Sequence, residues 1–220
     1  MTRLLGGSAG PLGWSVQYLE APFDTVLDAI KRFRRGLGHR IRVAQPRPYP
    51  DVLTELLPFE APWTRELVLP CGSWTAYLNN FVNGGDPSAI GPALRDVLGG
   101  RHITAMHSNQ PRTGPAHGGT QLWEQGPDGW GRTIGAVATD GRWQWDAAGT
   151  PFPFEDLDRY TARRIRDRFD RPLLLRYLAE LGIPATDDAY GPGVLVAQRV
   201  WGRRRTVSLE EMRRVLDVDR

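Results

Sequence analysis

Two Asp-Gly steps, Asp128-Gly129 and Asp140-Gly141, separate three runs of alternating apolar and polar residues: Gln121–Gln125, Arg132–Thr139 and Arg142–Asp146. Alternation sends successive side chains to opposite faces of a strand, and Asp-Gly supplies the positive φ angles of a type I′ turn. The pattern predicts a three-stranded antiparallel meander. After Gly149–Pro153, Leu157, Tyr160, Ile165 and Phe169 predict a helix over Glu155–Phe169, with Glu155–Arg159 and Asp167–Arg171 as i,i+4 pairs on its outer side.

Upstream, Trp14, Val16 and Tyr18 alternate and predict a strand with one buried face. Phe23, Val26, Leu27, Ile30 and Phe33 then fall at helical spacing after Pro22, with a stop at Gly36 or Gly38, and His39–Ala44 reads as a strand with Ile41 and Val43 on one face. Pro46, Pro48, Pro50, Pro58 and Pro62 leave room only for a short helix near Asp51–Leu57. Strands are predicted over Glu66–Leu69, Trp74–Val82 and Arg101–His107. Between the last two, Asp86-Pro87 opens a helix that Gly99 ends. Downstream of Phe169, Asp170-Arg171-Pro172 starts a helix that stops at Leu181-Gly182, Val194–Trp201 reads as a strand, and Ser208-Leu209-Glu210-Glu211 is a capping box.

These elements predict an α+β fold: a mixed, largely antiparallel sheet with a central β-meander and helices mainly on one face. Residues 1–220 are read as a single compact domain. The alternative is two subdomains, 14–107 and 119–220, joined by the Gly/Pro loop 108–118.

Composition narrows the class. Hydrophobic residues make up 40% and charged residues 24%, the balance of a soluble globular domain. No apolar run approaches the roughly 20 residues that span a bilayer, and the N-terminus lacks an apolar leader core. One cysteine, Cys71, excludes an internal disulfide and suits a reducing cytoplasm. All basic residues but Lys31 are arginine, a bias expected of a GC-rich bacterial coding sequence. Charge is segregated. Residues 111–158 carry three basic and seven acidic groups, whereas residues 159–220 carry fourteen and nine.

Candidate chemistry is sparse. His102 and His107 are five apart on one predicted strand, so they face opposite ways and do not easily share a metal unless a bulge intervenes; no metal site or cofactor is expected. His117 sits in the Gly/Pro loop. Cys71, at a strand turn, lacks the helix N-terminus or histidine partner that activates a thiol, and packing is its expected role. The Gly6–Gly10 run precedes the first strand, the wrong order for a phosphate loop. Glu124 and Asp146 have no evident local structural role and, with His102 or His107, are the acid/base candidates if the protein is an enzyme. Trp123, Trp143 and Trp145 could wall a sugar cleft, though core packing explains them as well. Asn79 and Asn80, unusual in mid-strand, and Asp86 at the next helix start are the ligand-binding candidates. Arg163, Arg164, Arg166 and Arg168 are read as a solvated, salt-bridged helix face, and Arg203, Arg204 and Arg205 as contacts for an acidic partner.

The expectation is a soluble, intracellular bacterial binding or interaction protein without catalysis, of the adaptor, regulator or toxin-neutralising type. Its partner would be a protein or a small polar ligand. Neither nucleic acid nor membrane is favoured. The alternative is a small hydrolase acting on a polar metabolite or sugar.

Overall fold

The computed structural model describes residues 4–5, 12–82, 87–108 and 118–216. Its frame is a nine-stranded sheet in which every neighbouring pair is antiparallel. The strands are β1 (Ser15–Leu19), β2 (Arg40–Val43), β4 (Arg65–Cys71), β5 (Trp74–Asn79), β6 (His102–Ser108), β7 (Gly118–Gly126), β8 (Gly129–Thr139), β9 (Arg142–Ala148) and β10 (Val194–Arg199). Their spatial order is β2-β10-β4-β5-β1-β6-β7-β8-β9. A small second sheet pairs β3 (Phe59–Ala61) with β11 (Arg205–Val207). Strands from both sides of residues 109–117 thus lie in one sheet, with β6 and β7 paired from His102↔Gln125 to Ser108↔Gly119.

The α+β class and the meander match the sequence pattern. Helices were expected mainly on one face, but the two faces share them. Helices α1 (Phe23–Gly36) and α2 (Ile90–Leu98) bury Val26, Leu27, Ile30, Ile90 and Leu94 against Leu19, Val68, Tyr77, Val194 and Val196. Helix α3 (Arg171–Glu180) buries Leu173, Leu174, Tyr177 and Leu178 against the opposite side chains, among them Val16, Tyr18, Leu67, Leu78, Ile103, Leu122 and Ile134. Met212 of α4 (Leu209–Leu216) joins that second core. The central strands are therefore covered on both sides. Strand β1 is buried at all five positions, where alternation had suggested one buried face.

Local chemistry explains most boundaries. Asp140 and Gly141 both have positive φ, 51° and 75°, and Thr139 pairs with Arg142, as a two-residue hairpin requires. The first hairpin differs. Gly126 pairs with Gly129, so Pro127-Asp128 is the two-residue loop, and the register shifts beside Glu124. The Asp170 side chain accepts from Leu173 N at the start of α3, and Ser208 Oγ accepts from Glu211 N at the start of α4.

The predicted helix over Glu155–Phe169 is absent. Only short 3-10 turns form, at Arg159–Thr161 and Ile165–Asp167. Guanidiniums occupy carbonyls that a helix would use: Arg168 Nε donates to Ala162 O and Arg159 Nε to Asp167 O. Glu155 is held by Arg132 at 2.6 and 2.8 Å, and Arg159 pairs with Asp170, so neither expected i,i+4 pair forms. Phe152 and Phe154 stack at 5.1 Å and Phe169 is buried, which pins the segment to the second face as an extended strap.

Candidate binding surface

The acid/base candidates do not converge. Glu124 pairs with Arg132 in register and so lies on the face of Ile134 and Ala136, whereas Asp146 pairs with Gly135 and lies on the other face. Two carboxylates on opposite sides of one sheet cannot flank a scissile bond. His102 shares the face of Asp146, but β6 and β9 are three strand spacings apart, roughly 14 Å. It is buried beneath α2, where Nε2 hydrogen-bonds Gln125 Oε1, and burial lowers its pKa below the ordinary 6.5. His107 faces the other way and meets Thr120 Oγ1 at 2.9 Å.

The asparagines serve the fold. Asn80 is fully buried. Its Oδ1 accepts from Thr64 N and Arg65 N, both at 2.9 Å, and its Nδ2 donates to Pro58 O at 2.9 Å and Glu60 Oε2 at 3.3 Å. That fills its capacity and clasps the proline-rich turn before β4. Asn79 Oδ1 accepts from Phe81 N within its own turn. Asp86 and His117 lie outside the described residues. Cys71 is buried with Sγ 3.7 Å from Pro184 O, and burial pushes its thiol up to about 12, far from a nucleophile's range. No group of three or more metal-ligating side chains occurs among the described residues.

Two buried ion pairs hold the halves of the sheet to their cover. Arg34 of α1 grips Glu66 of β4 at 2.6 and 2.9 Å, and Tyr77 Oη donates to the same carboxylate at 2.5 Å. Burial, then the Glu66 charge, raises the Tyr77 pKa well above its ordinary value. On the other face, Tyr160 Oη donates to Glu155 at 2.9 Å and stands 3.1 Å from Tyr177 Oη, beside the Arg132–Glu155 pair. Every charge in these pairs has a partner, so they read as architecture.

The surface is different at the β2–β10 edge. Arg203-Arg204-Arg205 leaves the end of β10 and enters β11, where Arg205 pairs with Ala61. Arg204 reaches buried Glu60 at 3.4 Å. Its neighbours gain company that the sequence did not announce. Arg40 of β2 stands opposite Arg199 of β10, and Arg42, two residues on, shares its face. Trp201 is 76% exposed, with the Arg199 guanidinium 4.4 Å from its ring centroid. Arg40, Arg42, Arg199, Arg203 and Arg205 are all exposed, and none has a carboxylate within 4.0 Å among the described residues. The signal was present as Arg40-x-Arg42, an alternation that puts both on one strand face, and as the run of Arg199, Trp201 and Arg203 where β10 ends. Only the β2–β10 register shows that the two sets meet.

A comparison with known protein families, curated proteins and solved structures finds no match to this chain.

Proposed function

We propose that this is a non-catalytic, intracellular binding protein that engages an acidic protein partner through the arginine corner at the β2–β10 edge. The observation that carries the reading is the Arg40–Arg199 cross-strand pair beside exposed Trp201, extended by Arg42, Arg203 and Arg205. Tryptophan and arginine are the side chains most enriched among residues that dominate interface energies. Guanidiniums without carboxylates are ready to take bidentate bonds from a partner's Asp or Glu. The described helices include none long and apolar enough to cross a membrane, which agrees with a partner met in solution.

The test is affinity capture of the full chain from its host's nuclease-treated lysate, in parallel with a triple variant, Arg40→Glu, Arg199→Glu and Arg203→Glu. The expected result is one stoichiometric acidic protein retained by the wild type and lost by the variant. A partner retained equally by both, or no partner on the wild type, overturns the reading.

A further inference from the structure

At the far edge of the sheet, roughly 35 Å from the arginine corner, Trp143 of β9 and the strap carrying Arg163, Arg164, Ile165 and Arg166 line an open cleft of about 490 Å³. The volume falls within the range of small-ligand sites. Three arginines and one tryptophan share this lining. The Arg163 and Arg164 side chains have no hydrogen bond or carboxylate partner among the described residues, and the Arg166 side chain only a 3.8 Å contact with its neighbour Asp167. Nearby arginines behave differently: Arg159 pairs with Asp170 and Arg176 with Asp156.

The strap is also fixed in shape. Arg168 Nε closes the 162–168 turn on Ala162 O, its guanidinium lies 5.8 Å from the Trp145 ring, and Ile165 and Phe169 anchor the turn in the core against β8 and β9. Arg163, Arg164 and Arg166 are exposed on this fixed turn, and only Arg166 has a carboxylate within 4 Å among the described residues, which leaves guanidiniums available to an anion.

The geometry points to a binding site for a phosphorylated nucleoside, its base stacked on Trp143 and its phosphates held by Arg163, Arg164 and Arg166. Indole offers a flat π-face that any base can use, and guanidinium forks match phosphate oxygens in pairs. The cleft's open side would admit either a free nucleotide or one nucleotide of a single strand, the shared chemistry being base plus phosphate. This site is separate from the arginine corner and does not rest on it.

The experiment is calorimetric titration of the full chain with ADP, pyrophosphate and a thymidine octanucleotide at low and moderate salt. ADP is expected to bind at least about fivefold more tightly than pyrophosphate, because its base stacks on the indole, and Trp143→Leu removes that advantage. Arg163→Gln with Arg164→Gln weakens ADP at least about tenfold, while Arg32→Gln with Arg35→Gln, exposed on α1 and outside both sites, leaves it unchanged. Tighter binding of the octanucleotide than of ADP assigns the site to a strand; the reverse assigns it to a free nucleotide. No binding of either at millimolar concentration overturns the proposal, as does pyrophosphate equalling ADP. Equal loss in the Arg32/Arg35 variant overturns it too, because diffuse charge would then explain the binding.

Discussion

Arg40 and Arg199 stand directly opposite one another across the β2–β10 ladder, two exposed guanidiniums in register with no carboxylate near either among the described residues. Like charges in such a pair repel and destabilise a sheet by a few tenths of a kcal/mol to about 1 kcal/mol. Arg40→Glu would replace repulsion with attraction. The expected outcome is a urea midpoint raised by an amount equivalent to about 0.5–1 kcal/mol, together with weaker capture of an acidic partner. Stability and binding moving in opposite directions would be the signature of a surface shaped for contact. An unchanged or lowered midpoint would mean that the pair carries no strain.

The Arg34–Glu66 pair gives the opposite prediction. Glu66 is fully buried and carries three hydrogen bonds to Arg34 and one from Tyr77. Glu66→Gln leaves the Arg34 charge in an apolar setting and should cost about 3–5 kcal/mol, read by urea unfolding. Tyr77→Phe removes one hydrogen bond to a charged group and should cost about 1.5–3 kcal/mol. A double variant, Arg34→Met with Glu66→Leu, should recover much of the loss, because it leaves no buried charge unpaired.

These pairs show where sequence reading succeeds and stops. Local signals carried the elements: the Asp140-Gly141 turn, the Asp170 cap, the Gly99 and Gly182 helix stops and the existence of strands β4 to β6 were all legible. Each depends on chemistry within a few residues. The 155–169 strap was not, because its apolar residues mimic helical spacing while Arg132, distant in sequence, captures Glu155. Strands β3 and β11 escaped notice since each is three residues long and needs the other. The arginine corner was half legible. Arg203–Arg205 stood out as a run, but Arg40 and Arg42 become part of it only through strand register. The Trp143 cleft was hidden by the helix expectation itself, which spread its arginines around a cylinder instead of gathering them.

Gly91 and His102 predict a packing effect and a pH effect at one place. A Cβ at Gly91 would lie 2.4 Å from His102 Cδ2 and 2.6 Å from Gln17 Nε2, so α2 can approach β1 and β6 only as glycine. Gly91→Ala should destabilise by about 1–3 kcal/mol. His102 is kept below its ordinary pKa, first by burial, with a smaller contribution from the Arg95 charge and opposition from the Gln125 hydrogen bond. The unfolded chain therefore binds the proton more readily. Stability is full above the ordinary value of 6.5 and falls as pH drops from there toward the depressed folded value. His102→Gln should flatten that fall in urea titrations between about pH 7 and 5. Glu20 acts lower. The Arg101 hydrogen bond lowers its carboxyl pKa below the ordinary 4.5, so its contribution disappears only in stronger acid.

Cys71 offers a probe of the core. Its thiol is wholly buried among Tyr18, Tyr190 and Pro184, and burial outweighs the Tyr190 hydrogen bond to hold its pKa at about 12. At pH 8 almost no thiolate exists in the folded state, and thiolate is the species that attacks a disulfide reagent. The folded protein should therefore be inert to an aromatic disulfide reagent at pH 8 over an hour, while the protein in concentrated urea reacts stoichiometrically. Between those limits the labelling rate should follow the opening of the segment 184–190, which bridges to Cys71 and meets its sulfur. Glu66→Gln should accelerate labelling at least about tenfold if its loss of stability reaches global unfolding. Rapid labelling of the native wild type would show instead that Cys71 is reached without unfolding, and that the second core is looser around the Tyr18–Tyr190 contact than its 2.8 Å hydroxyl pair implies.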